Sequence, residues 1–192
     1  GEGREAARGP RARPLPADRP PRERPAAPDA GPIVRPRRFT DGMTHATTAQ
    51  HLTAIDLLRG RAFPAEPVAS AMVESGPGFH VAQLRADEQL WDADPADVEE
   101  TAREYRAELE GLISALCLRW GEPEVLDLAD HLERVAMGMP VRPPLDVLCG
   151  QVPRVHAWRA DGRWIAVGLG EGEPEMPAFR LLAAVGRADA VR

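Results

Sequence analysis

The side chains able to do chemistry in this 192-residue chain are its histidines, its two cysteines and its carboxylates, and their spacing limits what they can build. Histidines 45, 51, 80, 131 and 156, with Cys117 and Cys149, show no zinc-like pairing, in which ligands recur within a few residues of one another. No metal site is expected. Asp92, Asp94 and Asp97 have the spacing of a calcium loop without its obligatory glycine or its closing glutamate, so helix capping is expected of them instead. Ser70, Ser75 and Ser114 lie in no nucleophile elbow, and neither cysteine sits in a motif that marks a thiol nucleophile. Gly168-Leu169-Gly170-Glu171-Gly172 has the glycine count of a phosphate loop. Glu171, Glu173 and Glu175 would repel a phosphate, however, and neither a Lys nor a Ser/Thr follows to bind one. A flexible acidic hairpin loop, able to meet a basic partner, is the expectation. Asp127 and His131, like Asp130 and Arg134, are four apart and would pair on a helix face. His156 with Glu171 or Glu175 remains as an acid–base pair near a sheet edge. No catalytic residue, cofactor or metal ligand is assigned.

The aromatic residues offer a second kind of chemistry. In Val155 to Leu169, VHAWRADGRWIAVGL, two tryptophans flank Ala-Asp-Gly, and the spacing predicts a β-hairpin over about 154–169. With Asp161-Gly162 as a two-residue turn, Trp158 pairs with Ile165 and the tryptophans fall on opposite faces. With Ala160-Asp161-Gly162 as a three-residue turn, the pairing slips by one residue. Val155, Ala157, Ile165, Val167 and Leu169 then share one face, and Trp158, Trp164 and His156 share the other. The second register is expected because it gathers the aliphatics onto a single core face. It leaves a tryptophan patch of the kind that anchors protein interfaces, although a covering helix would remove it. The predicted partner-binding residues are Trp158, Trp164, His156, Glu171, Glu173 and Glu175.

These residues need a scaffold. Asp94 caps a helix with Pro95 at its first position, and the stripe Val98, Ala102, Tyr105, Leu109, Leu112, Ile113, Leu116 and Trp120 keeps helical period to Gly121 and Pro123. A long covering helix is predicted over about 95–120. Phe79 to Arg85 alternates as a strand, Glu124 to Leu128 is extended beneath the helix, and Ala129 to Met137 forms a helical turn or two. Pro140, Pro143 and Pro144 impose a loop before a single turn at Leu145 to Leu148. Phe179 to Val185, FRLLAAV, is a final buried strand. Ahead of this, Leu52, Ile55 and Leu58 give a short amphipathic helix ending at Gly60, a second helix is expected in Phe63 to Glu74 after Pro67, and Gly76-Pro77-Gly78 breaks the chain. The predicted class is α+β, with a small, mainly antiparallel sheet. Its parts are a disordered Arg/Pro-rich tail at 1–46, a weakly helical segment at 47–78, the α+β domain at 79–187 and a frayed end at 188–192.

Composition narrows the partners. The chain has neither lysine nor asparagine, a bias that a GC-rich genome explains without selection for guanidinium chemistry. Residues 1–42 hold ten arginines against six acids, and the remainder holds 14 against 24. The tail is too poor in large apolar side chains to offset the entropy of ordering it, and it reads either as a solvated arm or as sequence upstream of a start at Met43. The acidic body disfavours nucleic acid and membrane phosphates and favours basic proteins. No apolar run is long enough to span a bilayer, no export signal opens the chain, and two cysteines make no disulfide framework. A cytoplasmic protein is expected.

Glu104 to Pro123, EYRAELEGLISALCLRWGEP, with HAWRADGRW and FRLLAAV, resembles small uncharacterised α+β proteins of GC-rich actinobacteria. The resemblance covers roughly residues 79–187. It implies an immunity or interaction module and carries over no functional residue. The expected function is a non-enzymatic protein-binding module of the immunity or antitoxin-like kind. The alternatives are a small enzyme or ligand-binding domain with a pocket between sheet and helix using His131 or His156, and a nucleic-acid-associated protein acting through the Arg-rich arm.

Overall fold

The computed structural model describes residues 44–86, 90–189 and 191, with backbone alone at 44–47 and 86. The chain divides into two units, Gly1–Arg38 and Phe39–Arg192, and every described residue belongs to the second. The predicted tail at 1–46 lies outside the described residues, apart from the first turn of a helix. The body is α+β, a seven-stranded antiparallel sheet with helices, as its alternating and 3.6-period segments require.

Helix α1 spans Thr44–Gly60 and buries Ile55 and Leu58. Strands β1 (Val68–Ala69), β2 (Val73–Gly76) and β3 (Phe79–Ala86) follow. The helix expected between Phe63 and Glu74 is therefore not formed. Ala, Met and Glu favour a helix there, but Val73 to Gly76 pair with Phe79 to Ala82 across a Pro77-Gly78 turn, and that pairing overrides local propensity. The segment at 47–78 accordingly contributes a helix and strands to the same sheet and core. Helix α2, Pro95–Trp120, has the predicted bounds, and the Ala96 N–H donates to the Asp94 cap at 2.9 Å. Strand β4 (Glu124–Asp127), helices α3 (Ala129–Ala136) and α4 (Leu145–Leu148), and strands β5 (Arg154–Ala160), β6 (Arg163–Glu173) and β7 (Met176–Arg187) complete the body.

The strand order is β1-β2-β3-β7-β6-β5-β4, which puts the apolar run of β7 at the centre. Both faces of the sheet are buried. On one, Ile55 of α1 and Tyr105, Leu112 and Leu116 of α2 cover Trp158, Ile165, Val167, Leu181 and Val185. On the other, Leu128, Leu148 and Val152 cover Val155, Trp164, Ala166 and Leu182. The end expected to fray is tied down at Val191, which is buried and accepts a 2.8 Å hydrogen bond from the Arg159 guanidinium at its carbonyl.

The hairpin takes the two-residue-turn register, not the three-residue one expected from the sequence. Ala160 pairs with Arg163, Arg159 with Trp164 and Trp158 with Ile165, so Asp161-Gly162 is a two-residue turn. Both turn residues have positive φ, 51° and 71°, the backbone that matches the twist of the flanking strands. The three-residue turn fails because its premise, one core face, does not hold: the sheet offers two, and the aliphatics are divided between them.

Candidate functional site

The predicted tryptophan patch does not exist as a surface. Trp158 is 4% exposed and lies under α2, where its indole N–H donates to the Gly121 carbonyl at 2.8 Å and its ring packs against Trp120. Trp164 is fully buried in the opposite core. The two side chains work as core and as a tie between sheet and helix terminus.

The other predicted residues meet in a groove. A concavity of about 650 Å³ lies at the open end of the sheet, walled by Leu109 of α2, Leu169 and Glu171 of β6, His156 of β5 and Leu132 of α3, with the 149–153 loop as a further wall. Glu173 also lines it, while Glu175 sits exposed in the Pro174-Glu175 turn. Glu171 is not a free base: Arg106 grips both of its oxygens at 2.9 Å, and this pairing raises the already high guanidinium pKa. His156 is held below its ordinary 6.5 by burial and by the nearby Arg154 charge, so its ring is neutral at neutral pH. Its Nδ1 is buried without a hydrogen-bond partner. Burial and the Asp146 charge push the Cys149 thiol up, away from a reactive thiolate. Among the described residues no group of His, Cys, Asp and Glu could hold a metal ion.

The glycines expected to form a flexible loop have a structural task. Gly168 and Gly170 lie inside β6, and the 151–154 backbone presses directly on them. A methyl group at Gly170 would stand 2.2 Å from the Gln151 carbonyl oxygen, and one at Gly168 would stand 2.8 Å from that of Arg154. This close approach brings the wall of the groove down onto the sheet.

Beside the groove stands α3, in which no residue is buried. The helix and the loop that follows it expose Leu132 (47%), Val135 (41%), Met137 (59%) and Met139 (40%). An eight-residue helix is too short to persist on propensity alone. It is fixed at its ends instead. Asp127 accepts from the Ala129 N–H at 2.9 Å, and Leu128 is buried with its N–H donating to the Pro153 carbonyl. At the other end Gly138 turns at φ 73°, and the Met139 N–H closes on the Arg134 carbonyl while that of Gly138 closes on Val135, a Schellman ending. Strong ends hold an amphipathic helix whose apolar side chains remain uncovered.

Two polar clusters escaped the sequence reading. His51 donates to Glu108 at 3.3 Å in the α1–α2 interface, and Arg85 reaches both Glu108 and Glu104 while stacking on the Tyr105 ring. Burial alone would raise the Glu108 pKa, but the His51 hydrogen bond and the Arg85 charge outweigh it and hold the carboxyl below its usual range. A signal was present: Glu108 falls between Tyr105 and Leu112 on the apolar side of the helix, where a lone carboxylate demands a partner. Ser75 and His80 are hydrogen-bonded at 2.7 Å and buried, a pair that only the β2–β3 register brings together.

No family model matches this chain. Nor does any curated protein or solved structure. No helix among the described residues is long and apolar enough to cross a membrane.

Proposed function

We propose that the protein is a non-enzymatic protein-binding module, of the immunity or antitoxin-like class, that docks its partner on the exposed side of α3 and the adjoining groove. The observation that carries this reading is the uncovered set Leu132, Val135, Met137 and Met139 on and just beyond a firmly capped helix. Exposed apolar side chains grouped in this way mark interaction surfaces, and methionines adapt their shape to a partner. Covering such side chains completely would contribute on the order of 1.5 to 3 kcal/mol each, before the cost of ordering the partner is deducted.

The rim supplies the sign of the partner's charge. Residues 122–142 carry Glu122, Glu124, Asp127, Asp130 and Glu133 against Arg134 and Arg142, and Glu173 and Glu175 stand nearby in sequence to the groove wall. An apolar segment flanked by Lys or Arg fits this surface, whereas nucleic acid and anionic membranes do not. Glu171, Glu173, Glu175 and His156 stay within the proposed surface, and the buried Trp158 and Trp164 leave it.

Selection from a random peptide display library tests the reading. Peptides with apolar centres and basic flanks should be enriched, and Leu132→Asp with Val135→Asp should weaken them at least about tenfold, the loss of roughly 1.4 kcal/mol. Replacing the exposed Trp91 by Ala should leave binding unchanged. No enrichment, or enriched peptides indifferent to the double substitution, would reject this surface.

A second reading has its own observation. His156 lines a concavity of small-molecule size and its buried Nδ1 has no hydrogen-bond partner, which favours a ligand-binding domain. A thermal shift with small acceptor-bearing ligands that is lost in His156→Phe would support it.

A further inference from the structure

We propose that the partner adds an antiparallel strand to the free edge of β4, and that its edge-binding core has the pattern basic, apolar, apolar, basic. This inference rests on the reading above, that the α3 end of the molecule is the docking end, and it specifies how the partner's backbone is held.

The geometry follows from register. β4 is the last strand of the sheet, and among the described residues no strand lies beyond it. It pairs Glu124 with Ala157, Val125 with His156, Leu126 with Val155 and Asp127 with Arg154. The same register continues to Leu128 and Pro153, where the Leu128 N–H donates to the Pro153 carbonyl at 2.9 Å. In an antiparallel ladder every second residue exchanges hydrogen bonds with the neighbouring strand, and the residues between point their N–H and C=O the other way. Glu124, Leu126 and Leu128 therefore bond inward to β5. Val125 and Asp127 turn their backbone groups outward. The hairpin supports this phase independently: its two-residue turn closes on Ala160 and Arg163, so the even-numbered residues of β5 serve β6 and the odd-numbered ones serve β4.

The side chains then identify the occupant. Val125 is 56% exposed, and directly across the ladder from it lies His156 of the groove. Glu124 and Asp127 bracket Val125 and Leu126, so an added strand meets acid, apolar, apolar, acid in either direction. A second copy of this chain is a poorer match: outward-bonding residues must oppose one another, so β4 paired antiparallel with itself sets its carboxylates against apolar or acidic side chains in each register and supplies no cation for them. A segment carrying Lys or Arg at the outer positions and β-branched residues between them complements both charge and pleat. Strand addition supplies affinity through backbone hydrogen bonds while the flanking pockets choose the side chains.

The experiment uses the full chain and a soluble peptide with Lys-Val-Val-Lys between threonines, with Glu-Val-Val-Glu as its charge-reversed counterpart. Amide exchange should show protection gained at Val125 and Asp127 with the basic peptide only. Val125→Pro is the decisive variant. Its missing N–H points away from β5, so the existing ladder is kept while the open edge is blocked, and peptide affinity should drop by about tenfold. If Leu132→Asp with Val135→Asp abolishes binding while Val125→Pro leaves it unchanged and the edge amides unprotected, the docking end stands and strand addition is overturned. Absence of binding to the unsubstituted chain overturns both. Edge protection that rises with protein concentration without peptide would mean that a second copy occupies β4, and would overturn the partner assigned here.

Discussion

Single residues in this protein are constrained most tightly where backbone meets backbone. Gly170 is the clearest case, because the atom that would meet an added methyl is a main-chain oxygen 2.2 Å away that cannot rotate aside. Gly170→Ala should cost about 1 to 3 kcal/mol of overpacking and lower the urea midpoint at unchanged slope, while the same change at exposed Gly150, with open space around its Cβ position, should move it far less. The glycine count of 168–172 was legible in the sequence, but its meaning was not. A glycine that admits a loop and one that admits a packed carbonyl are the same letter, and the difference is written in residues 151–154, where the loop leads into β5.

Elements were legible where their signals are local. Asp94, Pro95, the apolar stripe and Gly121 specify α2 by capping, dihedral preference and periodicity within one stretch of chain, and the helix has those bounds. Asp94→Ala should remove the hydrogen bond to the Ala96 N–H and cost about 1 kcal/mol, visible as a lower thermal midpoint, with Asp94→Asn restoring most of it. β1 and β2 were not legible, since strands of two and four residues, next to helix-favouring Ala71 and Met72, owe their existence to the neighbours they pair with. α3 was foreseen as a helical turn or two, yet its uncovered side chains could not be foreseen. Periodicity shows that a helix has an apolar side; it does not show whether anything packs there.

The molecule as a whole should be acid-labile, and the buried groups give the sign. His80 and His156 are held below 6.5, so the unfolded chain binds more protons than the folded one as pH falls through and below that value, and stability falls with it. Burial dominates both shifts. Glu108, held below its ordinary 4.5, contributes stability that is complete above that value and is lost as pH drops through its depressed folded pKa. Asp146 opposes this in part, because burial raises its pKa and its desolvation penalty is relieved on protonation. Urea midpoints should decline steadily from pH 7.5 to pH 4 in a series of buffers of constant ionic strength. Glu108→Gln should flatten the lower part of that decline, and a midpoint that rises on acidification would contradict the assignment of these shifts.

By itself the sequence determined the α+β class, the long capped helix, the presence of the hairpin and the acidic balance of the body, because each depends on neighbours in the chain or on composition. The tertiary structure alone decided the hairpin register, the burial of both tryptophans, the grip of Arg106 on Glu171 and the uncovered α3 beside an open strand edge. The physical reason is that the sheet is buried on both faces. Alternation along a strand separates one face from the other, but only the layers packed above and below determine which side chains meet solvent.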